Sequence, residues 1–307
     1  MIEYQSLSAL VASTIQGGAA PHLLAAIESE LLQLRLLRSL DDSGLLDGLV
    51  LHGGAAVRFC YGGSRFSDAL SFAGGADFTL QRFLHIKQCL EADLGIQCEL
   101  SIADEEATTP YKEAESAVSQ VGHWALTIAT PTGQGIPQQT ARLHVLRATT
   151  HTAQAMPIQL EYDWLPVGYS DTVVMVESKN EMLASILASL PSAIGHTGYK
   201  SLWDLAWLIR VGTELDANLL KLKIADQRYT TAVYLKHIEK LACDLPSVIN
   251  DGELAQTMQP LLPVDIYERT ACDSRFRRYL VAVLGELLSD VKELLAQESG
   301  TQPAFRM

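Results

Sequence analysis

The chain has 307 residues, of which 48% are hydrophobic and 19% charged, so it can bury the core of one large or two small domains. This composition excludes collagen, low-complexity disorder and disulfide-rich mini-proteins. With 23 Lys and Arg against 36 Asp and Glu, the net charge of −13 excludes non-specific coating of duplex DNA, which needs clustered cations.

Targeting and redox signals are weak in this sequence. No apolar run approaches the ~18 residues that span a bilayer, and the N-terminus lacks a basic segment before an apolar one. The five cysteines are scattered, without a CxxC pair or a Cys/His cluster, which favours reduced core thiols over a zinc site. We therefore expect a soluble cytoplasmic protein with no membrane partner.

The first elements follow from apolar spacing. Apolar residues recur at three- and four-residue steps up to Leu37, which predicts a helix that ends at Asp41-Asp42-Ser43-Gly44. The elements expected next are a strand at 49–51, a helix at 55–61, a strand at 70–73 and an amphipathic helix at 79–94.

The remaining pattern changes character near residue 176. Short apolar runs predict strands at 96–102, 124–129, 143–146, 158–162 and 173–176, whereas only helical periodicity follows from Glu177. We therefore predict an α+β fold: a mixed sheet with flanking helices, then an all-helical C-terminal half. The predicted domains are 1–176, with N-terminal helices, and 177–307.

The segment 51–72 carries the most specific signal. It reads as a strand, a Gly-Gly turn at Gly53 and Gly54, a short helix, a second Gly-Gly turn and a strand. Adjacent glycines after a strand let backbone N–H groups approach a phosphate with no side chain in the way. A glycine pair alone is a weak signal, but the order and spacing here are more specific.

This segment resembles the AbiEii/AbiGii toxins of bacterial abortive-infection and type IV toxin–antitoxin systems. Their first motif reads roughly Gly-Gly-Thr-Ala-Leu, an aliphatic helix, Tyr-Gly, then Arg-Phe-Ser-Glu-Asp-Leu-Asp-Phe. Further similarity lies at 162–169, 174–178, 181–184 and 202–208. The resemblance implies a nucleotidyltransferase fold like that of DNA polymerase β, with phage defence as the context.

The resemblance also implies a degenerate catalytic centre. The family's Asp-x-Asp, whose carboxylates hold Mg²⁺ ions in nucleotidyl transfer, is replaced by Ala69 and Ser71. Aligned by eye, His144 stands where the third carboxylate usually lies. The family's Lys that contacts nucleotide phosphates becomes Ile186, and its Arg-Asp pair becomes Lys200-Ser201, which removes a candidate base at Ser201.

Several residues remain candidates for nucleotide binding. They are Gly53, Gly54, Arg65, Ser67 and Lys200. Structural roles compete with this one at each position: the glycines shape the turn, Arg65 and Ser67 can order it, and Lys200 can pair with Asp204 four residues later. Asp68 is one residue out of step with the metal positions, so strand alternation predicts that it points away from the site.

No metal set is expected from the histidines. His52, His123 and His144 form one only if the fold brings them together, and a lone strand histidine is more often a core residue. The cofactor expectation is therefore none, with Mg²⁺ and NTP as the alternative.

Three hypotheses follow from these residues. The first is a pseudoenzyme that keeps the nucleotidyltransferase fold as a binding or assembly module in a defence or mobile-element context. The second is an active toxin that modifies tRNA 3′ ends or protein, with Asp68 and Asp77 as metal ligands. The third is an antitoxin-like or scaffold subunit of a defence complex.

Two kinds of partner fit these hypotheses. A protein partner or complex subunit is expected in the first and third. RNA is a further candidate at 200–240, where seven Lys and Arg face five Asp and Glu, a local net charge of +2. An engineered single-site change does not explain losses at so many positions.

Overall fold

The computed structural model describes most of the chain. The described residues are 23–74, 80–94, 99–105, 123–129, 140–146, 148–159, 171–193, 198–227 and 229–299. They fall into two compact units. The first reaches to Ser178 and includes Pro260–Val264, and the second consists of Lys179–Gln259 and the residues from Asp265 onward. The domain boundary at 176/177 stays a prediction.

The first unit is a mixed α/β structure. Its helices are α1 (Leu24–Asp42), α2 (Gly53–Tyr61) and α3 (Leu80–Leu94). Its strands are β1 (Leu49–His52), β2 (Leu70–Gly74), β3 (Glu99–Glu105), β4 (His123–Ala129), β5 (Thr140–Leu146), β6 (Ala153–Pro157) and β7 (Val173–Glu177).

These strands form one seven-stranded sheet in the order β3-β4-β5-β2-β1-β7-β6. β1 pairs with β7, and β2 pairs with β5, in parallel; the other four pairings are antiparallel. Leu51 on β1, Phe72 on β2 and Val145 on β5 are fully buried on one face of the central strands. Because strand side chains alternate, these buried residues leave the opposite face of β1, β2 and β5 available for polar groups.

One predicted strand, 158–162, is contradicted at its first two residues and untested at the others. Ile158 and Gln159 lie outside any strand, and residues 160–162 lie outside the described residues. The strand lies just before them, at β6, whose side chains are mostly exposed. An edge strand of Ala, Gln, Met and Pro buries little, so it shows no alternation of apolar and polar residues for sequence analysis to detect.

The second unit is helical over its described residues, as predicted. Its helices are α4 (Lys179–Ala193), α5 (Gly198–Arg210), α6 (Ala217–Asp226), α7 (Thr231–Asn250), α8 (Glu253–Met258), α9 (Val264–Arg269, which starts at the last residue of the first unit's short segment) and α10 (Ser274–Ser299). Helix α10 packs against α7 and α5. Trp203 and Trp207 are buried and belong to the core of this unit.

A buried ion pair joins α4 to α6 in this unit. Lys223 Nζ lies 2.7 Å from Glu181 Oε1, and both side chains are almost completely buried. A second polar tie runs from the Tyr234 hydroxyl, which donates to the backbone oxygen of Leu187 at 3.0 Å. Burial of the Tyr234 ring raises the pKa of that hydroxyl, so it stays a protonated donor at neutral pH.

In the part of the chain that the structure describes, every helix falls short of the length and apolar content that a bilayer crossing requires.

Helix α10 provides the stability test of this fold. Leu284 is 1% exposed in that helix, and Leu280 and Leu287 are buried beside it. We expect Leu284→Ala to lower the free energy of unfolding by about 2–5 kcal/mol, because it removes packed methyl groups and leaves a cavity. Chemical denaturation measures this loss.

The matched control is Leu222→Ala on α6, where the leucine is 44% exposed. It should change the free energy of unfolding by no more than about 0.5 kcal/mol. Equal effects of the two substitutions would contradict the docking of α10.

Candidate functional site

Three sequence-predicted positions lie side by side across the sheet. In the antiparallel β1–β2 pair, His52 is opposite Ser71. In the parallel β2–β5 pair, Ser71 is opposite His144. Residues paired in register project from the same face of a sheet. His52, Ser71 and His144 therefore form one row, which we call the His–Ser–His row.

The row occupies the less buried face of the sheet. The residues one step before His52, after Ser71 and after His144 are Leu51, Phe72 and Val145, which are buried on the other face. All three members of the row are partly exposed. The hydrophobic core thus fixes which face they occupy, although Nε2 of His52 is itself buried.

Helix α2 begins immediately after the row. His52 is its N-cap, and Gly53 has a φ of 66°, a left-handed conformation that glycine adopts without strain. A Cβ on Gly54 would lie 2.1 Å from Arg65 Nη2, so only glycine permits this approach. The buried Arg65 guanidinium also donates from Nη1 to the Phe66 carbonyl at 3.0 Å.

Ser67 and Ala69 lie in the turn before β2. The buried Ser67 donates its hydroxyl to the Ala69 carbonyl at 2.8 Å, and the Ser67 carbonyl accepts from Gln33 Nε2 at 2.9 Å. Ser67 therefore orders the turn. Asp68 is partly exposed between them, and its expected orientation away from the site stays a prediction.

A buried ion pair between Arg58 and Glu30 holds the second Gly-Gly turn, at Gly62 and Gly63. Arg58 on α2 donates from Nε to Glu30 Oε2 at 2.8 Å and from Nη2 to Glu30 Oε1 at 3.1 Å. Its Nη1 donates to the Gly63 carbonyl at 3.2 Å, and its guanidinium carbon lies 4.6 Å from the centre of the Phe66 ring. One side chain thus links α1, α2 and the segment that carries Arg65.

Sequence analysis missed Glu177 as a site residue. Leu51 on β1 is in register with Val176 on β7, so the next residues, His52 and Glu177, follow side by side. The Glu177 side chain is 2% exposed. In the sequence, the sign of such a residue is a carboxylate at the end of a buried strand. Helical periodicity instead marks Glu177 only as the start of the helical half.

Tyr61 on α2 forms hydrogen bonds at the C-terminal end of β7. Its hydroxyl donates to the Glu177 backbone oxygen at 2.8 Å and accepts from Gln154 Nε2 at 2.8 Å. Burial raises the pKa of Tyr61, and the nearby charges of Cys60 and Glu177 raise it further against the opposing effect of Gln154. Tyr61 is therefore a neutral hydrogen-bonding group at physiological pH.

The other sequence-predicted positions lie in the helical unit. Ile186 on α4 is partly exposed, as are Lys200 and Ser201 on α5. Asp204, one turn after Lys200, is buried. The pairing of Lys200 with Asp204 stays a prediction, and so do the roles of Ile186, Lys200 and Ser201 toward a nucleotide.

His123, the remaining histidine considered, begins β4 opposite Leu146, two register positions beyond the Ala125–His144 pair. Asp77 lies outside the described residues.

The sequence of residues 35–292 matches the family described as nucleotidyl transferase AbiEii toxin, type IV toxin–antitoxin system. The chain belongs to the AbiEii family. This confirms the resemblance carried by the glycine turn and the segment after it. No curated protein sequence matches the chain.

Two solved structures are similar to this AbiEii protein. MenT4, a nucleotidyltransferase toxin from Mycobacterium tuberculosis, is 18% identical with a TM-score of 0.51, over 94% of this chain and 98% of MenT4. JHP933 from Helicobacter pylori is 14% identical with a TM-score of 0.41, over 89% of this chain and 94% of JHP933. The likeness to MenT4 supports the nucleotidyltransferase fold.

Membership of the AbiEii family implies a Mg²⁺ site, but Ala69, Ser71 and His144 do not supply suitable ligands for that ion. Mg²⁺ requires oxygen ligands, above all carboxylates, in near-octahedral geometry. Ala69 has no ligand atom, Ser71 offers a neutral hydroxyl and His144 offers nitrogen. Within the described ranges, no group of three His, Cys, Asp or Glu side chains could hold a metal ion. The His–Ser–His row can instead donate hydrogen bonds, and it carries positive charge when its histidines are protonated.

Substitution of the buried Arg58–Glu30 pair tests whether this pair stabilises the first unit. We expect Arg58→Met to lower the free energy of unfolding by about 3–5 kcal/mol, because Glu30 is left as an uncompensated buried carboxylate. The double variant Arg58→Met with Glu30→Leu should recover most of that loss, since no buried charge remains. Urea denaturation measures both.

Arg269→Met is the matched control, because the Arg269–Asp265 pair is mostly exposed. It should change the free energy of unfolding by less than about 1 kcal/mol. A single Arg58→Met variant as stable as this control would contradict a supporting role for the buried pair.

Proposed function

We propose that this AbiEii protein is a catalytically degenerate nucleotidyltransferase that acts as a binding or assembly module in a bacterial defence or mobile-element context. Its partner is a protein, as a toxin–antitoxin family implies. The protein works through its surface, without transferring nucleotides.

One observation carries this proposal. Ser71 and His144 are direct partners across β2 and β5, so the position aligned by eye with the third carboxylate lies beside the position of the second. Neither residue is an acid, and Ala69, which precedes Ser71 by two residues in the turn before β2, is not one either. Nucleotidyl transfer depends on carboxylates that hold metal ions against the triphosphate charge, and these three positions supply none.

The changes outside this strand pair support the same reading. Ile186 cannot replace a lysine that neutralises phosphate, and Ser201 cannot replace a carboxylate base. The apolar skeleton and the glycine turn of the family are kept at the same time. Retention of the fold together with loss of the reactive groups favours selection for a surface.

The direct test is incubation of the purified chain with labelled NTPs, Mg²⁺ and total tRNA. We expect no label on tRNA or on the protein, and no growth inhibition when the chain is expressed alone. Transfer of label to tRNA that Asp68→Ala abolishes would overturn the proposal and establish an active toxin.

Restoring the acids tests the missing charge itself. Ala69→Asp with Ser71→Asp should raise the affinity for Mg²⁺, measured by calorimetry, because two carboxylates return to the positions of the family's Asp-x-Asp. Turnover need not return, since Ile186 and Ser201 remain.

The matched control is Ala153→Asp with Ala155→Asp, which adds two acids at the same spacing on the exposed strand β6. If both double variants bind Mg²⁺ equally, the gain comes from added charge alone and the strand positions are not those of a lost metal site.

Glu177 is the observation that favours the alternative, an active enzyme that uses NTP and Mg²⁺ on tRNA 3′ ends or protein. It is a buried carboxylate beside His52, and with Asp68 it could supply part of the missing charge. If the protein is such an enzyme, Glu177→Gln should abolish label transfer. If the protein is degenerate, neither the unmodified chain nor Glu177→Gln transfers label.

A further inference from the structure

The two edges of the sheet differ in charge. Among the described strands, β3 and β6 lie at the ends of the sheet. Strand β3 carries Glu99, Asp104 and Glu105, whereas β6 reads Ala-Gln-Ala-Met-Pro and has no charged residue. An edge strand presents backbone groups to which another chain can pair, and charged side chains are a common protection against such pairing. The sequence therefore protects β3 in this way and leaves β6 without the same protection.

Backbone hydrogen bonds fix which residues of β6 face the open side. The Thr152 carbonyl accepts from the Ser178 N–H at 2.9 Å, and the Ile158 N–H donates to the Thr172 carbonyl at 3.0 Å. Because the backbone groups of an antiparallel strand alternate in direction, even-numbered residues from 152 to 158 face β7. The residues whose backbone groups point to the open side are Ala153, Ala155 and Pro157.

These three residues suit an edge that another strand can join. Pro157 lacks an N–H, but the missing donor lies on the open side, so its pairing with β7 loses nothing. Ala153 and Ala155 each direct an N–H and a C=O outward. Their side chains are exposed and no larger than a methyl group, so they leave the approach of a second backbone unhindered.

An exposed apolar face borders this edge. Ala155 is opposite Met175 on β7, and Pro157 is opposite Val173. Met175 is 42% exposed and Val173 is 51% exposed, and residues paired in register share a face of the sheet. Exposed apolar surface next to an open edge is typical of an interaction site.

Charge and symmetry indicate which chain joins this edge. A two-fold antiparallel pairing about Gln154 places Ala153 of each copy opposite Ala155 of the other, so the N–H of each alanine meets a C=O. No like charges face each other across β6, although the whole chain carries −13. The same pairing of β3 with β3 would bring acidic residues together. Pairing of β6 with β6 also closes at two copies, since it consumes the open edge of both.

We propose that β6 is an assembly surface on which a second copy of this chain pairs through its own β6, giving a two-fold dimer with one continuous sheet. The proposal goes beyond the proposed function, because it rests on β6 and not on the degenerate positions Ala69, Ser71 and His144. The contact surface of one short strand is small, so the dimer is a weak one that forms with increasing concentration.

The first test measures the mass and the backbone exchange of the full chain. Sedimentation velocity between about 1 and 200 μM should show the average mass rising from that of one chain toward that of two, and not beyond. Over the same concentrations, hydrogen exchange should slow at the amides of Ala153 and Ala155, because they become hydrogen-bonded donors. Exchange in β3 should stay unchanged.

Matched variants locate the contact. Ala155→Pro removes an outward N–H without loss of a bond to β7, and it should weaken self-association about tenfold or more. Ala155→Glu places a charge beside the two-fold axis and should weaken self-association about threefold or more. Leu84→Glu adds the same charge at a leucine that is 47% exposed on α3, and it should leave self-association unchanged. If Ala155→Pro melts at a lower temperature than the unmodified chain, Ala155→Glu and the exchange measurement decide.

A chain that keeps the mass of one copy at the highest concentration would overturn the proposal. A dimer that is as tight in both Ala155 variants as in Leu84→Glu would do the same. Weakening by Met175→Glu but not by Ala155→Pro would assign the contact to the apolar face, against the edge pairing. Label transfer by a dimeric chain would overturn the proposed function and leave the dimer standing, whereas a monomer that transfers no label would overturn only the pairing of β6.

Discussion

The buried pair of Arg58 and Glu30 is the interaction on which the arrangement of the first unit depends. Its two parallel hydrogen bonds fix α1 against α2, and its remaining donor and its face hold Gly63 and Phe66. Those contacts position the segment that carries Arg65, which in turn requires glycine at position 54. A charge that is costly to bury is present here because it orients one guanidinium toward three partners, Glu30, Gly63 and Phe66.

The sequence was sufficient for the fold class because the decisive patterns are local. Helical spacing in α1 and α10 and the glycine-bounded strand β2 needed no tertiary information. β6 escaped because an exposed edge strand has no apolar face to detect. The division into units was less accessible, since Pro260–Val264 returns to the first unit from deep within the helical half.

The residues of the candidate site also differ in how far the sequence alone could identify them. Ala69 and Ser71 could be assigned from their distance to the glycine turn, because both lie within one short motif. His144 lies more than 70 residues from Ser71, and no spacing rule relates positions on strands joined by long connections; the strand register relates them. Glu177 was hidden for the same reason, since its neighbour His52 is brought close by a parallel pairing of β1 and β7.

The segment Pro260–Val264 has a consequence for how the protein is made. The backbone N–H of Phe66, beside Arg65, donates to the Leu261 carbonyl at 2.9 Å. During synthesis at roughly 5–20 residues per second, the acceptor emerges on the order of 10–40 s after the donor. The backbone hydrogen bond of Phe66 therefore cannot form until the chain has been synthesised as far as Leu261. The segment beside Arg65 thus acquires this contact only from a part of the chain that is synthesised much later.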